Sequence, residues 1–257
     1  MKLSTRNVAL IAVLVALYYV LSIISPVIPV IGVSGLNIDL GALTASVFGF
    51  LLGPYLGALT AFLGAFVTWV LPPSSGALYG APFLLSPPLN ALVVGFIFYR
   101  KWKWAFATLG VLIAVFLFLP PSQPIASYYY VSVAVLWDKI IALLLVISPI
   151  IFARRLSNSM NVLRARTDLW ILFFLICFIG NQADDMWGSD IFAVPIVYNK
   201  IFGLNLDTVR GAFIVSPFVY PAIRLLQAVI AASIAVPLEL ALKNTQWITQ
   251  QKSILEQ

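Results

Sequence analysis

Three aspartates, Asp184, Asp185 and Asp190, crowd into the stretch "GNQADDMWGSD" (residues 180–190), at the end of an uncharged run that starts at Leu169. Gln182 and Trp187 stand beside them. Acids, an amide and an aromatic ring at a helix mouth are what a small-ligand site needs: the polar groups fix orientation, and the ring stacks on a planar group. The pattern favours binding over bond-making. The chain has no histidine, which removes Ser-His-Asp triads, Cys-His dyads and most zinc sites. "QADD" lacks the D-D-x-x-D spacing that presents a diphosphate to magnesium, and no G-x-x-x-x-G-K-[ST] run exists to hold a nucleotide. We therefore expect no catalytic residue, no metal and no cofactor. Cys177 is the single cysteine, so no disulfide can form within the chain.

Other polar residues interrupt apolar segments. Asp138 and Lys139 stand about 15 residues before Arg154, or roughly 23 Å above it at a helical rise of 1.5 Å per residue. Arg224 stands about 28 Å above Lys243 by the same rise. The heights are comparable, and charges at such depth need partners. Arg224 is expected to meet Asp138 or one of Asp184 and Asp185, in a pair that is either structural or ligand-binding. Asn90 follows the breaker "SPP" at 86–88 and is placed to point into the same outer cavity. Candidate substrate-binding residues are thus Asn90, Asp138, Lys139, Gln182, Asp184, Asp185, Trp187 and Arg224.

The elements that must position them are membrane helices. Hydrophobic residues make up 62% of the 257 and charged residues 9%, where a soluble domain is about a quarter charged. Mean hydropathy is +1.03. So few charges cannot cover a globular surface, and the chain reads as an all-α polytopic transmembrane bundle in one domain over 1–257. The first apolar run, Val8 to Ile24, has no A-x-A-like exit and reads as a retained helix. No charge occurs from Leu40 to Tyr99, and the breakers "GP" (53–54), "PPSSG" (72–76) and "PPSQP" (120–124) divide the apolar sequence. The spacing predicts about 6–8 spans, roughly 7–24, 38–52, 54–71, 87–99, 104–119, 127–153, 168–182 and 211–241. Outer loops fall at about 25–38, 72–86 and 183–210, inner basic loops at 100–103 and 154–167, and a polar tail at 243–257. With both termini cytoplasmic, every basic residue except Lys139, Lys200, Arg210 and Arg224 lies inside, as the positive-inside rule requires. The basic patches therefore signal topology and a lipid bilayer, not nucleic acid. On this topology Asp184, Asp185 and Asp190 sit on an outer loop, where they either keep the loop wet or line a ligand site.

Small residues mark faces for close approach. Ala12 and Ala16 form a small-xxx-small pair on the first helix. Gly57, Ala61, Gly64 and Thr68 form a stripe on the third span, and Ala228, Ala231 and Ala235 one on the last, both fitting packing within the bundle.

The sequence resembles the substrate-binding (S) components of energy-coupling-factor ABC importers. "STRNVALIAVLVALYYVLS" looks like their first helix, "FGFLLGPYLGALTAFLGAFV" like their Gly-Pro hairpin, and "RLLQAVIAASIAVPLELAL" like their last helix. "QADDMWGSDIFAVP" is similar to a segment found before that helix. The resemblance implies a substrate-capture subunit, not an enzyme, with an outward pocket for a vitamin or similar micronutrient. It implies a multi-pass protein of the plasma membrane that works with a transmembrane coupling (T) protein and two cytoplasmic ATPases. Ala12 and Ala16 match the pair with which that family docks on the coupling protein. Two rival readings remain at this point, a solitary secondary transporter or channel and a membrane-embedded lipid or prenyl enzyme.

Overall fold

A computed structural model describes residues 5–24, 28–29, 37–38, 43–74, 76–157, 162–242 and 255. Nine α-helices run through the described residues: α1 (Thr5–Ile24), α2 (Thr44–Val70), α3 (Ser86–Phe98), α4 (Trp102–Phe118), α5 (Ile125–Leu145), α6 (Ser148–Ser157), α7 (Val162–Phe192), α8 (Leu206–Val215) and α9 (Tyr220–Leu242). A two-residue antiparallel bridge pairs Ile28–Pro29 with Asn37–Ile38. Six segments are long and apolar enough to cross a membrane: Thr5–Ile24, Thr44–Val70, Ala81–Phe98, Ile125–Leu156, Arg166–Phe192 and Tyr220–Leu242. Large apolar side chains such as Val13, Val111, Phe118 and Leu144 are exposed around them. A chain in lipid satisfies its backbone within helices and turns such side chains outward.

The hairpin at "GP" forms inside α2. Gly53 takes φ +80° and ψ 175°, a left-handed conformation that glycine adopts without strain, and Pro54 starts the second arm with φ already set for a helix. The arms fold back on each other so closely that a Cβ on Gly57 would lie 2.6 Å from the carbonyl oxygen of Phe48. Every residue of the first arm, Thr44 to Leu52, is buried. The hairpin then packs on α3, where a Cβ on Gly95 would lie 2.5 Å from the Pro54 backbone. The Tyr99 hydroxyl donates to the Phe50 carbonyl at 2.8 Å, and Lys101 lies over the Tyr55 ring at 5.5 Å. The hairpin tip and the basic 100–103 turn thus share one end of the bundle. Gly64 of the small-residue stripe meets the Tyr18 ring of α1. Ala228, Ala231 and Ala235 are fully buried on α9.

Several expected boundaries are corrected. The span 127–153 is one membrane segment, Ile125–Leu156, but it breaks into α5 and α6, because Pro149 has no N–H for the Leu145 carbonyl and the Ser148 hydroxyl takes that acceptor at 2.7 Å. The span 211–241 divides likewise: α8 ends at Val215, the 3₁₀ turn Ser216–Phe218 carries Pro217, and α9 begins at Tyr220. The helix expected to end at 182 continues to Phe192. Residues 183–210 are therefore not a loop: α7, a π-helical turn (Ile196–Ile201) and α8 occupy most of them. Part of 154–167 is likewise helical, in α6 and the start of α7. Most of the expected loop 25–38, Asp39, and the tail 243–257 apart from Leu255 lie outside the described residues.

At the far end of the bundle, Arg210 of α8 fastens the start of α5. Its guanidinium stacks on Tyr128 at 3.4 Å from the ring centroid and donates to the Pro120, Pro121 and Gln123 carbonyls. Phe213, one turn on, meets both Phe116 of α4 and Phe192 of α7 edge-on. The start of α5 and the end of α7 therefore lie together, and the two helices run antiparallel.

The hairpin packing has a direct test. Gly95→Ala is expected to destabilise the protein by about 1–3 kcal/mol through overpacking, measured as a fall in thermal midpoint in detergent. Gly110→Ala, where a Cβ meets nothing within 4 Å, is expected to leave the midpoint level or raise it.

Candidate functional site

A chain of buried polar side chains links five of the helices. At one end the Ser46 hydroxyl (α2) donates to Asn90 Oδ1 (α3) at 2.8 Å. Asn90 Nδ2 donates to Asn181 Oδ1 (α7) at 2.8 Å, and Asn181 Nδ2 to the Arg224 carbonyl (α9) at 3.4 Å. Close packing fixes this ladder, because a Cβ on Gly180 would lie 2.4 Å from both Asn90 Oδ1 and Val94. Asn90 therefore spends both ends of its amide inside the protein.

The charges follow directly. Arg224 Nη2 lies 3.1 Å from Asp185 Oδ1 and 3.4 Å from Asp184 Oδ1. Its Nε donates to Asp185 at 3.3 Å, and its Nη1 donates to Gln227 Oε1 at 2.9 Å. The other Asp185 oxygen pairs with Lys139 Nζ (α5), which also lies 3.0 Å from Asp138. All five charged residues are at least nine-tenths buried. The pairing expected for Arg224 forms with Asp184 and Asp185, while Asp138 is held by Lys139.

Among the described residues, three carboxylates meet two cations in this cluster. Each ionised group here would be prohibitive alone in a medium of low dielectric, and the geometry keeps them by mutual pairing and hydrogen bonds. The aspartates are consequently not loop residues kept in water. Asp184 and Asp185 extend α7 because their partners lie on α5 and α9.

Not every polar atom is partnered. Among the described residues, Gln182 is fully buried and neither its amide oxygen nor its nitrogen has a hydrogen-bond partner. Gln227 Nε2 is bare beside Arg224, and both oxygens of Asp190 are bare at 4% exposure. Buried polar atoms are almost always satisfied in folded proteins. Bare atoms also occur elsewhere, on Thr68, Ser122 and Asp168, but Gln182, Gln227 and Asp190 share one half of α7 and α9 and leave binding capacity for a molecule other than the protein. Trp187 is half-buried, its indole N–H 3.4 Å from the Pro82 carbonyl, and it closes the α3 side of that end. Ala12 and Ala16 stand apart, exposed on α1, whose only buried residues are Leu14 and Tyr18.

The structure thus gathers Asp138, Lys139, Gln182, Asp184, Asp185 and Arg224 around α7. It puts Asn90 in the supporting ladder and Trp187 at the rim. Sequence reasoning missed Ser46, Asn181 and Gln227. Asn181 carried a signal, as a second amide beside Gln182 at the end of an apolar run. Gln227 stands one turn after Arg224, the spacing at which helical side chains meet.

Residues 2–164 of the chain match a family model described as the S component of the ECF-type riboflavin transporter. No curated protein matches it. The matched region holds α1 to α6, with Ala12, Ala16, Asn90, Asp138 and Lys139, and stops short of the α7 and α9 side chains that complete the cluster.

The cluster predicts a specific pattern of damage and rescue. Arg224→Leu is expected to destabilise by about 3–5 kcal/mol, because it strands Asp184 and Asp185 in the interior. Adding Asp185→Asn is expected to restore part of that loss. Fluorescence-detected size exclusion of the single and double variants reads both; an Arg224→Leu protein as stable as the parent would show that the pair contributes nothing.

Proposed function

This chain belongs to the family of ECF-type riboflavin transporter S components, and from that premise we propose that it captures riboflavin or a close chemical relative at the cluster on α5, α7 and α9. As a member of the family it is a multi-pass membrane protein and the substrate-binding subunit of a transporter, not an enzyme. The bare Gln182 amide, held at the edge of a buried ion cluster, is the observation that carries the ligand assignment. A flavin ring presents an imide edge, an N–H flanked by carbonyls. A glutamine amide, one donor group beside one acceptor, complements such an edge.

Arg224 and Lys139, neutralised by the aspartates, stiffen the wall behind that amide, and Gln227 Nε2 adds a donor beside it. Trp187 lies one to two turns toward the rim, where its ring stacks on the planar part of a ligand as that part enters. The burial of these polar atoms without partners raises the free energy of the empty site, and a ligand that satisfies them recovers it.

Transport then needs partners: a transmembrane coupling protein and two cytoplasmic ATPases, in the plasma membrane. The exposed Ala12 and Ala16 on α1 suit the docking of a coupling helix, since two small residues one turn apart let a helix backbone approach closely. The rest of that face, with Val8, Val13, Leu17 and Val20 exposed, is apolar and fits a partner within the membrane.

Two measurements test the reading. Riboflavin titrated into the purified protein is expected to lose its fluorescence on binding, and Gln182→Ala to weaken it by about 10-fold or more, the effect of losing a paired amide. Ala12→Trp or Ala16→Trp is expected to keep that binding while abolishing co-purification of ATPases and riboflavin uptake by cells. Unchanged uptake with both tryptophans would remove α1 from the docking surface.

A further inference from the structure

Asp190 belongs to none of the pairs described above. It is 4% exposed, and both of its oxygens lack a hydrogen bond or a cation among the described residues. A buried carboxylate in that state is held against a strong tendency to hydrate or pair, which a folded protein tolerates where a ligand supplies the partner. Its position fits that purpose. On α7 it lies about 12 Å toward the rim from Gln182 and about 80° around the axis, so the two share one side of the helix. Met186 lies between them, fully buried.

The facing helix offers a second bare group at that level. α5 runs antiparallel to α7, with Lys139 against Asp185. Ser132, two turns earlier on the same α5 face, comes within about 3 Å of the height of Asp190. Its hydroxyl is buried and unpartnered. The described charges nearest in sequence turn elsewhere: Lys200 is exposed, and Arg210 is committed to Asp207 and to the 120–123 carbonyls. Among the described residues, no cation pairs with Asp190.

We propose that Asp190, with Ser132, forms a second ligand subsite at the rim of the cluster, which receives the donor-rich end of the substrate and rejects an anionic one. A buried carboxyl group hydrogen-bonds hydroxyl or amine groups, and with no cation beside it among the described residues it gives a phosphate or carboxylate nothing to offset the loss of its hydration. The substrate class is therefore a molecule with a planar, imide-like end at Gln182 and a hydroxyl- or amine-bearing chain at Asp190. This rests on the reading of the Gln182 site above. For flavins it selects the free polyol chain over the phosphorylated one.

Three probes and two variants decide it, using the full chain in detergent. Riboflavin carries the polyol chain, FMN carries the same chain ending in phosphate, and lumiflavin carries the ring with a methyl group in place of the chain. Asp190→Asn is expected to weaken riboflavin by about 10-fold, the scale of a lost hydrogen bond to a buried group. The same variant is expected to bind FMN no worse than the parent does, so that the riboflavin-over-FMN preference falls about 10-fold, and to leave lumiflavin within about 2-fold. Asp190→Leu is expected to raise the thermal midpoint of the ligand-free protein by about 2 °C or more, since it removes a buried polar group that has no partner among the described residues. An unchanged riboflavin-to-FMN ratio with riboflavin still bound would overturn the subsite, as would a ligand-free midpoint that falls or stays level. Should the parent bind none of the three flavins, the flavin reading fails instead, and the Asp190→Leu midpoint alone decides whether Asp190 is reserved for another donor-bearing ligand or is part of the structure.

Discussion

Charge inside a membrane protein has to be paired, and the pairing of Asp185 with Lys139 and Arg224 organises everything around it. One carboxylate holds a cation from α5 on one oxygen and a cation from α9 on the other. That double contact fixes α5, α7 and α9 at a common level. It also keeps α7 helical to Phe192, because the side chains that would otherwise carry the chain into water are satisfied where they stand. The amide ladder Ser46–Asn90–Asn181 extends the same logic to α2 and α3. Its short hydrogen bonds need the backbones to lie close, and Gly49, Gly57, Gly95 and Gly180 are the positions where any side chain would collide.

Much of this was legible in the sequence because it is local. Apolar runs give spans, Gly-Pro in an apolar run gives a hairpin, and two alanines one turn apart give an exposed small-residue face on α1. The comparable depths of Asp138, Lys139 and Arg224 pointed to a buried meeting of charges. The misreadings share a physical origin. Acids after an apolar run look like a helix mouth when only chain neighbours are counted, and the partners that bury Asp184 and Asp185 lie on other helices, far away in sequence. Pro217 divided one expected span, and Pro149 broke the helix within another, since each removes an N–H and restricts the residue before it. Asn90 was visible as a polar group in an apolar span. Its ladder role was not, because a hydrogen-bond partner on a distant helix leaves no trace in spacing. Asp190 was visible as a third acid, and nothing in the sequence separated it from the two that are paired.

Satisfied and unsatisfied polar groups divide the bundle by purpose. The ladder and the ion pairs are complete and make a rigid frame. Among the described residues, the bare groups Gln182, Gln227 Nε2, Ser132 and Asp190 lie on α5, α7 and α9 beside that frame, while Asp168 Oδ2 is bare toward the opposite end of α7. A protein that binds a small molecule in a dry site faces this trade: groups that will hydrogen-bond the ligand go unpaired in its absence, and the surrounding structure supplies the stability to hold them.

The central claim is that the bare groups around α7 are the ligand site. A structure of the full chain with riboflavin, in lipid nanodiscs, tests it most directly. The expected result is a flavin between α5, α7 and α9, its imide edge within hydrogen-bond distance of the Gln182 amide. A flavin bound elsewhere, with Gln182 still buried and bare, would contradict it.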